Sequence, residues 1–407
     1  MNRENSSVFK AVIIGGGASG LALSIILSKK IGKGKVALFE RLDRVGKKLL
    51  QTGNGQCNLS NISDDLSRFH SENEGFHTFV INYYSSKIEE FFNNLGLPLS
   101  CDGDRVYPLS KQASSVVDAL RFKSSDLGVE LFLNTNVTAI KKKGNLFTII
   151  DDNELGTIAE NVIVSSGGKS QKHLGTDGTS YQLLTALGHK LTSLYPSIVQ
   201  LKTESGKIRG LKGLKQKVKA KAVVNGKALS ESYGDLLFTE YGVSGNVCFS
   251  LSSYLSGKSN GEIIVDFCSE LSLEKLISLI KTKQDNCPYL TGEYLLMGIM
   301  NNKIALSVLK NSGFSNLSLP ISKYNAEKVA RAVKSYSIAV TGTKGFDNSQ
   351  VTKGGIDTRD FNDKTLESKL VPNLYACGEV LDVDGDCGGF NLKWAFASSF
   401  AVGESIK

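Results

Sequence analysis

The 407-residue chain is short of several residue types, and each shortage excludes something. It has 6 prolines, 1 tryptophan, 3 methionines and 4 histidines. So little proline rules out a proline-rich spacer. The histidines (His70, His77, His173 and His189) form neither an HExxH pair nor a cluster, so no metal is expected. None of the seven cysteines (Cys57, Cys101, Cys248, Cys268, Cys287, Cys377 and Cys387) lies in a CxxC pair. Their number is odd, which argues against a disulfide framework. No GxSxG elbow supports Ser-His-Asp hydrolysis. No apolar run approaches the ~20 residues of a membrane span, and MNRENSSVFK lacks a signal-peptide pattern. The expectation is a cytoplasmic protein with no membrane partner. Repeats and low-complexity tracts are absent too.

Glycine, by contrast, is abundant at 41 residues. Without proline it signals tight turns and close backbone approach, not a flexible linker. Hydrophobic residues at 41% and charged residues at 22% are ordinary globular values and exclude disorder. The net charge of +8 comes from 39 Lys and 9 Arg against 40 acids. A nucleic-acid reader leans more on arginine for its bidentate fork. The lysine excess therefore reads first as a solvated surface, and nucleic acid is argued against as a partner.

The strongest local signal lies in the first forty residues. Lys10–Ile14 (KAVII) reads as a strand that ends in Gly15-Gly16-Gly17-Ala18-Ser19-Gly20. LALSIILSKK follows with helical apolar spacing, then Lys35–Phe39 reads as a second strand closing on Glu40. In such a unit Gly15 permits the tight turn, Gly17 lets backbone N–H groups approach a pyrophosphate, and Gly20 lets helix and strand pack closely. The helix N-terminus, with Ala18 and Ser19, adds partial positive charge, and Glu40 is placed to accept ribose hydroxyls. This predicts dinucleotide binding but does not separate NAD from FAD. The continuation Arg41 to Lys48, with Gly46, Lys47 and Lys48, resembles the segment after the second strand in FAD enzymes of the glutathione-reductase type.

Residues 46–61, GKKLLQTGNGQCNLSN, together with that fingerprint, resemble the BaiN/aminoacetone-oxidase-like family of bacterial flavoproteins. The likeness continues through Arg105-Val106-Tyr107-Pro108, Gly234–Thr239, Thr352–Ile356, Asn373–Asp382 and Gly388–Ala395, collinear over nearly the whole chain. It implies non-covalent FAD and an α/β fold, with a Rossmann-like FAD domain of the glutathione-reductase type carrying an inserted small β-barrel and a helical subdomain. The expected boundaries are 1–191 and 346–407 for the FAD domain, 192–271 with 335–345 for the barrel, and 272–334 for the helices. The resemblance further implies that Thr52, Gly53, Cys57 and Asn58 belong to the flavin loop. Val137 would contact adenine, Ser166, Gly167 and Gly168 end a strand beside the cofactor, and Glu379 would bond the ribityl–pyrophosphate side. A helix opened by Gly388 and Gly389, with Phe390, Asn391 and Leu392, would face the flavin ring.

Departures from the family pattern limit the carry-over. Asn54 and Gln56 replace the usual Gly and Arg, Glu240 replaces a histidine, Asn246 a proline, and Asp104 precedes Arg105. Ser165-Ser166 stands for Ala-Thr, and the Tyr-Pro that usually follows the glycines at 167–168 is missing. Cys57 has no neighbouring cysteine for a dithiol relay. No residue is assigned as general acid or base.

The middle of the chain reads differently. Leu214–Val224 alternates lysines at 215, 217, 219 and 221 with smaller residues, a half-buried strand with a basic outer face, and Asn225-Gly226 makes a hairpin turn. Further strands are expected at 235–239, 246–251, 262–267 and 335–340. Helices are expected in LSLEKLISLIKTK, in EYLLMGIMNNKIALSVLKN and in NAEKVARAVKS, with Met297 and Met300 packing inside.

The sequence thus predicts an FAD-dependent oxidoreductase acting on a small organic substrate held between the FAD domain and the inserts. The resemblance implies either reduction of an activated C=C bond or oxidation of a small amine. No second GxGxxG is present, so either NADH or NADPH docks transiently over the flavin or the substrate itself reduces it. Two rivals remain: a flavin-containing RNA-modifying or RNA-binding protein using the Lys202–Lys221 stretch, and a redox-silent flavin carrier. Oligomeric state is not encoded legibly.

Overall fold

The computed structural model describes residues 8–407; the first seven residues of MNRENSSVFK, on which the expected lack of a signal peptide rests, lie outside the described residues. The chain forms two compact units. One runs to Tyr195 and resumes at Gln350–Lys407, and the other is Pro196–Ser349.

The first unit is built on a mostly parallel sheet. Strand β1, Phe9–Ile14, pairs in parallel with β2, Val36–Phe39, and with the strand Gly156–Val164. Glu130–Phe132 extends the parallel set beyond β2. The outer side of Gly156–Val164 is used twice. Residues 156–159 run antiparallel to Leu146–Asp151, and residues 162–164 run parallel to Leu374–Ala376. Every residue of β2 is buried, as expected where helices cover both faces of a parallel sheet. Helix α1, Ala18–Ile31, and the C-terminal helix Phe390–Ser405 pack closely. A side chain at Gly403 would come within 2.5 Å of Ile26, so glycine sets that approach. This is a Rossmann-type layer with buried core residues such as Ile13, Leu38, Ile163, Trp394 and Phe396.

The second unit is a closed six-stranded barrel with helices. Its strands, in order, are Leu201–Thr203, Gly242–Ser244, Lys227–Phe238, Lys215–Val224, Gly261–Asp266 and Tyr336–Thr343. Asn225 and Gly226, with φ of 51° and 78°, join Lys215–Val224 to Lys227–Phe238 as the predicted two-residue hairpin. The helices Leu273–Asn286, Asn302–Asn311 and Ala326–Lys334 share one apolar core with the barrel, including Leu276, Val308, Val329 and Ile338.

Three expectations are corrected. Residues 246–251 are not a strand but the start of a helix, Asn246–Leu255. Its buried residues Val247, Cys248, Leu251, Ser252 and Leu255 follow a helical period, and Gly245 at φ +94° turns the chain out of the preceding strand. Helix does not run continuously through 293–311. Gly298 at φ +85° breaks it, and Asn301 caps a fresh start by accepting the Lys303 N–H at 3.0 Å. Met297 in that broken stretch is 50% exposed, whereas Met300 is buried.

Gly245 is a good position to test this account of the barrel. A Cβ there would lie 2.4 Å from the Asp235 carbonyl oxygen, while at Gly226 it would meet nothing within 4 Å. Gly245→Ala should therefore lower the melting temperature clearly more than Gly226→Ala, by a difference of about 1–3 kcal/mol in chemical denaturation.

Candidate functional site

The glycine turn after β1 is a backbone cradle. Gly15 sits at φ +110°, and a side chain on it would strike the Ser165 carbonyl at 2.6 Å. At Gly20 an added Cβ would lie 1.9 Å from the Gly15 carbonyl oxygen, so helix and turn touch there. Gly17 differs, because nothing lies within 4 Å of where its Cβ would be. It is the N-cap of α1, which starts with no side-chain cap and no acidic residue in its first turn. Helix N-terminal N–H groups lack partners within their own helix and favour anions.

Around this turn the predicted residues converge. Glu40 accepts the Gly16 N–H and the Leu42 N–H, both at 2.9 Å. Burial pushes its pKa up, while those two N–H groups, Arg41 and Lys47 oppose the rise. The Gly46 N–H donates to the Gly16 carbonyl at 2.8 Å, which draws the second loop onto the first. Lys48 Nζ reaches Glu379 Oε2 at 2.8 Å, and Glu379 Oε1 accepts the Thr352 N–H at 2.8 Å. A Cβ at Gly167 would lie 3.7 Å from Glu379 Oε2, and one at Gly168 would lie 2.5 Å from Thr352 Oγ1. Segments following three separate strands, together with Thr352 of the strand Val351–Lys353, thus meet at the Glu379 carboxylate.

Other predicted residues lie at the margins of this cluster. Lys47 pairs with Asp43 at 2.6 Å, and Arg41 pairs with Asp177 at 3.0 Å. Val137 begins its strand largely buried. Ser19, also largely buried, touches the Gly378 turn, where an added Cβ would lie 2.5 Å from its Oγ. Thr52 Oγ1 donates to the Leu49 carbonyl, and the Thr52 carbonyl accepts the Cys57 N–H. Cys57 itself is fully buried, and burial pushes its thiol up to about 12. It packs in the core and presents no thiolate.

A second uncapped helix start lies at Gly389, φ +104°. Space for a side chain there is closed by the Ser60 carbonyl at 2.3 Å and Asn58 Oδ1 at 2.8 Å. Asn391 locks the approach, with its Oδ1 accepting the Gly385 N–H and its Nδ2 donating to the Gly385 carbonyl. Trp394 donates to the Gly378 carbonyl at 3.1 Å, which ties this helix to the Glu379 loop. Two buried polar atoms in these loops, Asn58 Oδ1 and Ser166 Oγ, have no hydrogen-bond partner among the described residues.

The sequence matches the family described as HI0933-like protein Rossmann domain over residues 9–405. The chain belongs to this family. It is 35% identical over 401 residues to a 3-dehydro-bile acid delta(4,6)-reductase of Clostridium scindens, covering 97% of this chain and 98% of the relative. It is 28% identical over 410 residues to a ribosomal RNA dihydrouridine synthase of Haemophilus influenzae, with 97% and 98% covered. The solved 3-ketosteroid delta1-dehydrogenase of Sterolibacterium denitrificans shares the fold at a TM-score of 0.51 and 12% identity, covering 98% of this chain and 99% of that one. The family is one of flavin-dependent oxidoreductases, and this chain is an enzyme of that class.

Sequence reasoning missed the acids that precede Gly388. Asp382, Asp384 and Asp386 are all buried. Asp386 accepts from Arg68 and lies 2.9 Å from His70 Nε2, and Asp382 accepts the Glu72 N–H. Asp384 is almost wholly enclosed, with no partner for its Oδ2 among the described residues. Burial raises its pKa to about 7, against the pull of His70 and Lys353 and with added push from Asp382 and Asp386. The only hint in the sequence was the D-x-D-x-D spacing, which a solvated turn shares.

Asp384 gives a pH prediction. The folded carboxyl keeps its proton up to about pH 7, while an unfolded aspartate loses it near ~4. Between those values the folded state holds more protons, so stability falls as pH rises through the window. Asp384→Asn should raise the melting temperature at pH 8, and the gain should vanish near pH 4. Thermal melts across that range check it.

Proposed function

We propose that the chain uses FAD to reduce a C=C bond conjugated to a carbonyl group in a small organic molecule. The observation that carries this reading is the full-length 35% identity to a reductase named for such double bonds. The reaction named for the second relative, making dihydrouridine, saturates the same kind of bond in uracil. The two names therefore agree on chemistry and differ on the size of the substrate.

The residues present suit FAD. The open space at Gly17 and the uncapped start of α1 match a pyrophosphate, with Gly15, Ala18, Ser19 and Gly20 shaping the turn. Glu40 keeps acceptor capacity for ribose hydroxyls, since each oxygen takes one N–H. Ser166 Oγ and Asn58 Oδ1 are buried polar atoms that a cofactor would satisfy. Lys48 and Glu379 hold each other at the meeting point of the loops. Gly389, Phe390, Asn391 and Leu392 would set a positive helix end toward the ring. FAD, when bound, supplies the hydride chemistry. Val137 is our candidate for the adenine end, and Asp384 is our candidate for holding the proton that the reduction consumes.

A small substrate is favoured over RNA by the barrel surface. Three of the four alternating lysines are paired across the hairpin: Lys215 with Asp235, and Lys219 and Lys221 with Glu231. A basic stripe partly neutralised in this way is a poorer track for phosphates.

Anaerobic reduction tests the reading. NADH or NADPH should bleach the flavin, and a conjugated enone should restore its absorbance with one equivalent of saturated ketone formed. Bleaching by amines alone would point to an amine oxidase. Re-oxidation only by a uridine-containing RNA, with salt-sensitive binding, would move the substrate class to RNA.

A further inference from the structure

Within the first unit lies a cavity of about 310 Å³ whose lining includes Lys393, Asp64, Ser85, Ser100, Ile88 and Val106. That volume is at the small end of ligand pockets, roughly 300–1,000 Å³. Lys393 is unusual in it. Its side chain is 3% exposed, one turn into the Phe390–Ser405 helix. Nζ donates to the Ser63 carbonyl at 2.9 Å and to the Asn61 carbonyl at 3.1 Å. An ammonium has a third N–H. The carboxylate on that side, Asp64, stands 3.8 Å away, beyond hydrogen-bond distance. Asp64 is also 91% exposed, so water weakens its pull without abolishing it. A buried cation compensated this weakly is costly unless an anion joins it.

The walls say which anion. Ile88 and Val106 are buried apolar residues, and Ser85 and Ser100 add hydroxyls. Asp64 and Glu89, both exposed at the lining, repel an anion of more than one charge. A single carboxylate on a short alkyl chain satisfies both features. It accepts the third N–H of Lys393 in a charge-assisted bond and lays its chain against the apolar wall. We propose that this cavity binds a short-chain aliphatic monocarboxylate through Lys393.

Calorimetric titration of the holoprotein with butyrate tests it. Saturable one-site binding is expected, weakened about tenfold or more in Lys393→Gln. Asp64→Asn should bind butyrate more tightly, because the competing carboxylate is gone. Inorganic phosphate should bind more weakly than butyrate. No butyrate binding by wild type and Asp64→Asn, unchanged binding in a folded Lys393→Gln, or phosphate binding as tight as butyrate overturns the proposal. Asp64 is exposed, so its variant keeps the test open should Lys393→Gln not fold.

Discussion

The helices Ala18–Ile31 and Phe390–Ser405 start on glycines, Gly17 and Gly389, with no side-chain cap, and both begin inside packed loops. A helix start of this kind leaves peptide N–H groups that favour an anion over water alone. The glycines around each start keep the backbone bare. At Gly15, Gly20 and Gly389 a side chain would collide with a backbone carbonyl, and at Gly17 it would fill open space. The rest of the unit serves this arrangement. The parallel strands deliver their C-terminal loops to one place, and Glu379, held by Lys48 and the Thr352 N–H, fastens the loops together.

The same geometry divides the labour of the proposed chemistry. Peptide groups and helix ends supply fixed electrostatics at little reorganisation cost. Burial tunes two of the titratable side chains in these loops. Asp384 is lifted to about 7, and Cys57 is silenced at about 12. The acid therefore titrates near neutral pH, while the thiol does not titrate there at all. That contrast favours proton handling by a carboxyl group over thiol redox exchange.

Short-range chemistry was legible in the sequence; long-range pairing was not. Strand, glycine turn, helix and strand in the first forty residues follow from local spacing, and so does the Asn225-Gly226 hairpin. The stretch 246–251 reads as a strand because a short apolar run carries no decisive period, and only the positive φ of Gly245 redirects it. The interruption at Gly298 had the same cause. Lys48 with Glu379, Lys393 with Asn61, and the lysine stripe with Glu231 depend on register and topology. Alternation exposed the stripe, but not the acids that neutralise it. The raised pKa of Asp384 comes chiefly from burial, with added push from Asp382 and Asp386, and no motif encodes it.

The central claim is that a bare backbone turn at Gly17 recognises the pyrophosphate of FAD. Measuring the flavin released on denaturing the purified wild-type protein and a Gly17→Leu variant tests it most directly. The account predicts one FAD per wild-type chain, and a variant that folds and melts like the FAD-free wild type yet retains no FAD. Release of FMN in place of FAD, or unchanged FAD occupancy in the folded variant, contradicts it.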